Sequence, residues 1–347
     1  MWDDFSTLAL VAAFVVAGGV ILMAGLRMTG LADTLADRTG LGEALIGGVL
    51  LGAATSLSGI IVSVTAALDG YASLAFSNSV GGIAAQTVFL GVADMFYRKA
   101  NLEHAAADLG NLFQGVVLMV LLMLPLVAMT TPEVAIWAIH PVSFAIPVVY
   151  AVGLIAGRAV HDAPMWEPVD TGDTKADQPE EEDAESKAKS TQRLFLTFAA
   201  LMILMGAAGY VVAKTASELA DRMEISGTLM GALATAVVTS LPELVTTVAA
   251  VRRGALQLAV GGIIGGNTFD TLFLMASDIS YRDGSLYHAV SSQDYFWIVS
   301  ALLMTGILMG GLILRQRQGP GRIGIESALL LLVYGGAVVV QVLSGGL

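Results

Sequence analysis

Thr55-Ser56-Leu57-Ser58-Gly59 and, 184 residues later, Thr239-Ser240-Leu241-Pro242-Glu243 decide how this chain is read. Laid over itself at that offset, the sequence puts Leu35-Ala36-Asp37-Arg38 on Leu219-Ala220-Asp221-Arg222. Gly70 falls on Gly254 and Gly81-Gly82 on Gly265-Gly266, while Asp94, Tyr97 and Arg98 meet Asp278, Tyr281 and Arg282. Without a gap, 24 of the 70 positions from 35 to 104 are identical. A composition this biased gives about one in ten by chance, so the two halves form an internal repeat.

The medium in which the halves fold follows from composition. Of 347 residues, 56% are hydrophobic and only 13% charged, too few charges to cover a water-soluble surface of that size. The absence of cysteine excludes disulfides and thiolate metal sites. The net charge of −12 is local, since ten of the acids fall between Asp162 and Glu185. The first apolar run has no basic leader and no A-x-A cleavage pattern, so it reads as a retained helix. A span needs about 20 mostly apolar residues. By that rule the fold is an all-α integral membrane protein with ten transmembrane helices, near 7–27, 43–67, 72–97, 111–130, 134–157, 194–213, 227–251, 255–279, 293–314 and 324–345. They divide into a first five-helix repeat (1–157), an acidic linker (158–192) and a second five-helix repeat (193–347).

Basic residues set the expected orientation, because cytoplasmic loops are enriched in them. With the N-terminus outside, the inner loops hold Arg27, Arg38, Arg98, Lys99, Arg158, Lys175, Lys187, Lys189, Arg193, Arg252, Arg253, Arg315, Arg317 and Arg322. Only Lys214, Arg222 and Arg282 stay outside. The expectation is a multi-pass protein of the cell (inner or plasma) membrane, both termini outside and the linker cytoplasmic. An odd number of spans per half turns the second half upside down relative to the first. Inverted repeats of this kind mark secondary transporters, with a substrate site near mid-membrane where the repeats meet.

Polar residues inside spans cluster where the repeats match, and such residues face the protein interior. Thr239 and Glu243 are four apart and share a helix face. Pro242 has no N–H, so the carbonyl of Val238 loses its helical partner and can turn toward a cation. In Gly265-Gly266-Asn267-Thr268-Phe269-Asp270, Asn267 and Asp270 share a face and the glycines admit a close neighbour. The donors are all oxygens, a set suited to sodium, calcium or a proton. No nucleotide loop, nucleophile elbow or metalloprotease motif points to an enzyme. Inorganic cations and the lipid bilayer are the expected partners, with no nucleic acid, obligate protein partner or resident cofactor.

The Thr-Ser-Leu-Pro-Glu segment followed by Gly-Gly-Asn-x-x-Asp resembles the second alpha-repeat of the calcium/cation antiporter family, the sodium/calcium exchangers. The resemblance implies two homologous five-helix halves, a cytoplasmic central loop, and long first and sixth helices that slide or rock. It implicates Glu243, Asn267, Asp270, Thr239 and Ser240 in ion binding. The first repeat departs from the family pattern: Ser58-Gly59 stands where a Pro-Glu pair is usual, and Ile83 and Gln86 replace two later amides. Thr55, Ser56, Ser58, Asn78 and Gln86 remain there as neutral candidate ligands. The implied activity is secondary antiport of Ca2+ against Na+ or H+ by alternating access. A site charge of at most −2 leaves monovalent Na+(K+)/H+ exchange open, as the lost Glu does a transport-inactive sensor. Glu243 and Asp270, close together and away from water, make proton coupling an expectation.

Beside these, Asp94 with Arg98 and Asp278 with Arg282 read as helix-end salt pairs, and Glu43 and Glu326 as acids at helix starts. His104 and His288 read as surface residues, and Val169–Ser190 as a solvated linker.

Overall fold

The computed structural model describes residues 2–39, 55–174, 190–319 and 323–345. They form α1 (Thr7–Thr39), α2 (Leu57–Leu68), α3 (Ala72–Asp94), α4 (Leu102–Ala105), α5 (Leu109–Thr130), α6 (Pro141–Asp162) and α7 (Thr191–Met223). The chain continues through α8 (Gly227–Thr239), α9 (Leu241–Arg253), α10 (Leu256–Ser280), α11 (Leu286–Ala289), α12 (Ser292–Leu314) and α13 (Ile325–Gly345). Among the described residues the one β-type pairing is a bridge between Ile136 and Ile139. Among the described residues seven helices are long and apolar enough to cross a membrane, and α8 with α9 makes an eighth if that bent pair is one span. The protein is thus an all-helical, multi-pass membrane protein, as lipid demands of a backbone that must satisfy its own hydrogen bonds. Residues 43–54 of the expected span 43–67, Glu43 among them, lie outside the described residues.

The 184-residue offset reappears in the helix bounds: α1 runs 7–39 and α7 191–223, α4 runs 102–105 and α11 286–289. α1 and α7, in extensive contact with each other, are 33 residues each, longer than the 7–27 and 194–213 read from hydropathy. Their polar ends, such as Thr215-Ala216-Ser217-Glu218-Leu219-Ala220-Asp221-Arg222, are good helix formers that an apolar window ignores. α6 begins at Pro141 rather than near 134, because Trp137 and Ala138 turn the chain through left-handed backbone (φ 54° and 66°).

α3 sits at the centre. All of it except Ser73 and Val92 is buried, against α2, α8, α9, α10, α12 and α13. Walled by protein on every side, it carries Ser77, Asn78, Ser79, Gln86 and Thr87 without exposing them to lipid, and its composition falls short of an apolar span. The seventh span differs from a single straight helix: α8 contains a π-helical turn over Met230–Thr235, and α9 leaves it at 47° beyond Ser240. Pro242 explains the bend, since its ring displaces the carbonyl four residues back. The helix is interrupted at the matching Ser56 as well, where no proline follows.

Loops gather by sign. Arg98, Arg252, Arg315 and Arg317 belong to one end, where Arg252 lies over the Phe96 ring and Asn101 bonds the Gln316 carbonyl. Arg317 there pairs with Asp173 at 2.6 Å, and Arg315 bonds the Val169 carbonyl, also at 2.6 Å. The start of the linker is therefore docked, which corrects the reading of the whole of 169–190 as solvated; residues 175–189 lie outside the described residues.

At Gly81, α3 meets the π-turn of α8 so closely that a Cβ would sit 2.5 Å from the Ala232 Cα. Gly30, in α1, would meet nothing within 4 Å. Gly81→Ala is expected to cost about 1–3 kcal/mol, as overpacking does, and Gly30→Ala to be neutral or better. Thermal unfolding in detergent checks this; equal stability of the two variants would contradict the close crossing.

Candidate ion-binding site

All ten residues singled out from sequence are buried: Thr55, Ser56, Ser58, Asn78, Gln86, Thr239, Ser240, Glu243, Asn267 and Asp270. The helix breaks at Ser56 and Ser240 and the middle of α3 and α10 bring seven of them into one hydrogen-bonded group or its immediate surroundings. Asp270 is its hub. Ser56 Oγ donates to Oδ1 at 2.6 Å and Gln86 Nε2 to Oδ2 at 2.7 Å, while Ser79 Oγ donates to the Asp270 carbonyl at 2.9 Å. Gln86 Nε2 also reaches Ser240 Oγ at 3.3 Å. The second acid, Glu243, accepts from the Thr55 side chain and lies within electrostatic reach of Asp270. Asn267 donates to Thr87 Oγ1 at 2.9 Å.

These contacts cross the repeat. Gln86 and Asp270 are counterparts at the 184 offset, as are Ser56 and Ser240, so Ser56–Asp270 and Ser240–Gln86 are the same contact made twice. What distinguishes them is charge, an amide in one half and a carboxylate in the other.

Three candidates stand apart from the hub. Asn78 has its amide committed elsewhere: Nδ2 donates to the Gly59 carbonyl (3.1 Å) and Ser63 Oγ (2.9 Å), and Oδ1 accepts from Thr235 (2.7 Å). Thr239 bonds back to the Thr235 and Ala236 carbonyls of its own helix. Ser58 Oγ is buried without a partner on α2. Sequence reasoning missed Ser79, Thr87, Ser63 and Thr235, which orient the amides and the Asp270 backbone. Thr87 alone carried a signal, its identity with Thr271 across the repeat.

It also missed Phe273. A Cβ on Gly59 would lie 2.7 Å from Cε2 of that ring. The slot matching Glu243 in the first half is thus filled by an aromatic side chain from α10, and both carboxylates come from the second half. Glu243 Oε2, Gln86 Oε1 and Asn267 Oδ1 are buried oxygens without a hydrogen-bond partner. Such oxygens in a desolvated pocket leave lone pairs available to a small hard cation. No group of three or more His, Cys, Asp or Glu with metal-binding geometry occurs among the described residues.

The end-of-helix acids behave otherwise than expected. Asp94 accepts the N–H groups of Leu102 and Gly324, both at 2.7 Å, and Asp278 those of Leu286 and His140, both at 2.8 Å. They close loops rather than pairing with Arg98 and Arg282, because a buried carboxylate is held better by several short N–H bonds than by one exposed arginine. His104 is buried as well, its ring on the Arg315 carbonyl (2.6 Å) and Thr171 (3.0 Å).

The arrangement of helices around this cluster has counterparts among solved structures. The H+/Ca2+ exchanger CAX superposes with a TM-score of 0.68 at 12% identity, over 97% of this chain and 86% of that one. The sodium-calcium exchanger NCX_Mj gives 0.59 at 15%, over 96% and 99%. The model of the sodium/calcium exchanger protein family matches residues 9–156 and 193–343, so the chain belongs to that family. The inner membrane protein YrbG of Escherichia coli (strain K12) is 36% identical over 128 residues, 37% of this chain and 38% of that protein's length.

Gly59→Glu is expected to destabilise the fold, because the new side chain runs into the Phe273 ring. Adding Phe273→Ala should return about 0.5–3 kcal/mol, the range for residues in contact. A double-mutant cycle of thermal stability measures it, and strict additivity would mean that the ring does not fill the slot.

Proposed function

We propose that the protein is a secondary cation antiporter that carries Ca2+ in exchange for Na+ or H+ by alternating access. The observation that carries this reading is the pair Glu243 and Asp270, buried where the helix breaks at Ser56 and Ser240 meet α3 and α10, beside unpartnered amide and carboxylate oxygens. Intramembrane acids without a cationic partner are costly and mark ion pathways. Glu243, Asp270, Asn267, Ser240, Ser56, Thr55 and Gln86 hold the ion, with Thr239, Asn78 and Ser58 behind or beside them. The architecture is ten transmembrane helices in two inverted five-helix repeats, 1–157 and 193–347, joined by the linker 158–192. Matched helix bounds and matched contacts at the 184 offset support it. Both termini lie outside and the linker in the cytoplasm, the orientation that the split of basic residues favours.

Phe273 in the first-half slot favours a second reading, monovalent Na+(K+)/H+ exchange, since it holds the site charge at −2 or less.

Proteoliposomes loaded with a calcium indicator separate the readings. Calcium uptake should follow an imposed sodium or pH gradient and fall about tenfold or more in Glu243→Gln, since a lost charge-assisted contact is worth about 1.5–3 kcal/mol. No calcium uptake, with sodium- or potassium-dependent proton release instead, would establish monovalent exchange. Calcium flux unchanged in Glu243→Gln would refute the site.

A further inference from the structure

Each half ends its third helix on an aspartate that closes a corner, and the two corners differ in one respect. At the far end, Asp278 accepts from Leu286, from His140 and from Ser143 Oγ (2.6 Å), and Ser143 meets the Tyr287 hydroxyl at 2.9 Å. One acid faces neutral donors there. At the linker-side end, 184 residues earlier or later, Asp94 accepts from Leu102 and Gly324. The places of Tyr287 and Val142 are taken by Glu103 and Glu326. The same corner is therefore built with three carboxyls.

Architecture does not require the extra two, and they are poorly satisfied. Glu103 is 0% exposed and Glu326 3%. Ser327 Oγ donates to Glu103 Oε1 at 3.1 Å, but Glu103 Oε2 and Glu326 Oε1 have no partner. Both point at one spot: a Cβ on Gly324 would sit 2.5 Å from Glu326 Oε1 and 3.1 Å from Glu103 Oε2. Two bare carboxylate oxygens buried against one glycine cannot both stay charged without a large desolvation and repulsion cost.

Among the described residues no cation of this face bonds Glu103 or Glu326. Arg315 holds the Val169 and His104 carbonyls and Thr174, Arg317 holds Asp173, and the His104 ring holds Thr171 and the Arg315 carbonyl. Arg98 and Lys99 are exposed, and Arg322 lies outside the described residues. From the packed elements, the charged groups facing Glu103 are Asp94 of α3 and Glu326 of α13. A cleft of about 320 Å³ lined by Arg98, Ala100, Asn101 and Gln318 lies beside α4 on the same face.

We propose that Glu103 and Glu326 form a proton-binding site on the linker-side face, where one shared proton clamps the start of α13 to α3 and α4. The proton comes from linker-side water and bridges Glu103 Oε2 and Glu326 Oε1 as a carboxyl–carboxylate hydrogen bond. Its departure leaves two anions beside Asp94 and loosens the corner. α3 also carries Gln86, so the clamp acts on a helix of the candidate ion site while touching none of its ligands. Burial, with the Asp94 and Glu326 charges beside it, pushes the Glu103 carboxyl well above the usual carboxylate range.

The sign of the effect follows. The folded protein holds a proton that the unfolded chain has already released, so stability falls as pH rises toward the raised value. Over that window one proton changes the unfolding equilibrium by about tenfold per pH unit. Glu103→Gln supplies a permanent N–H donor to Glu326 and should flatten the slope. The test is thermal unfolding of the full-length protein in detergent across acid to alkaline pH, for wild type, Glu103→Gln and Glu326→Gln. The infrared band of a protonated carboxyl is followed in parallel. Wild type should lose stability and part of the band together, and either variant should show a smaller loss of both by the share of one proton; the two substitutions approach the pair from opposite sides should one fail to fold. Identical pH slopes and identical carboxyl bands in wild type and variants would mean that the pair releases no proton over the range and would overturn the proposal. So would alkaline stability restored by added sodium or calcium in wild type alone, which would make the ligand a metal ion.

Discussion

Asp270 has both carboxylate oxygens bonded to the other half of the chain, to Ser56 and to Gln86. A carboxylate this far from water needs such donors, and here neither comes from its own half. The two halves are thereby held in one register, since slipping α3 by a residue would carry Gln86 and Ser79 away from Asp270 together. The hydrogen bonds of Ser79 and Asn267 follow from the same placement, as does the burial of nearly all of α3. Among the described residues no cationic side chain bonds this group, and the proposed ion site rests on that.

The helix breaks answer a related constraint. Lipid offers the backbone no hydrogen bonds, so a kink at mid-span is tolerated only where protein surrounds it. Ser240 and Ser56 meet that condition, both buried against α3 and its neighbours. Pro242 enforces the break in one half. In the other, the helix is interrupted at the matching Ser56 with no proline after it.

Periodicity and self-alignment made the helical class, the paired segments and the two buried acids legible before any coordinates. These are properties of residue type and spacing, and Glu243 and Asp270 are conspicuous in apolar surroundings. What escaped was the direction of side chains on a helix buried all round. Nothing in the order Phe76-Ser77-Asn78-Ser79 says that Asn78 turns to Thr235 while Ser79 turns to the Asp270 carbonyl. Phe273 was invisible for a related reason, because an aromatic residue in an apolar span has no local mark of the glycine it covers. The long ends of α1 and α7 were missed because hydropathy detects lipid and not helix. Asp94 and Asp278 were misassigned because i,i+4 spacing to arginine is a local cue, whereas the backbone N–H groups that claim them come from the next loop and from a distant one.

The repeat is most informative where it fails. Positions alike in both halves, such as Ser56 and Ser240 or Asp94 and Asp278, serve the common frame. The differing pairs carry the asymmetry of charge: Gln86 against Asp270, Gly59 against Glu243, Glu103 against Tyr287 and Val142 against Glu326. Each exchanges a neutral side chain for an acid at a site with defined partners, so the frame stays constant while its electrostatics change. Two of them make the centre acidic from the second half alone, and two make the linker-side corner acidic where its counterpart is neutral. Two halves with the same charges would present equivalent corners at the ends of the repeat. Placing the additional acids at the centre and at the linker-side corner makes the two ends of an otherwise matched frame electrostatically distinct.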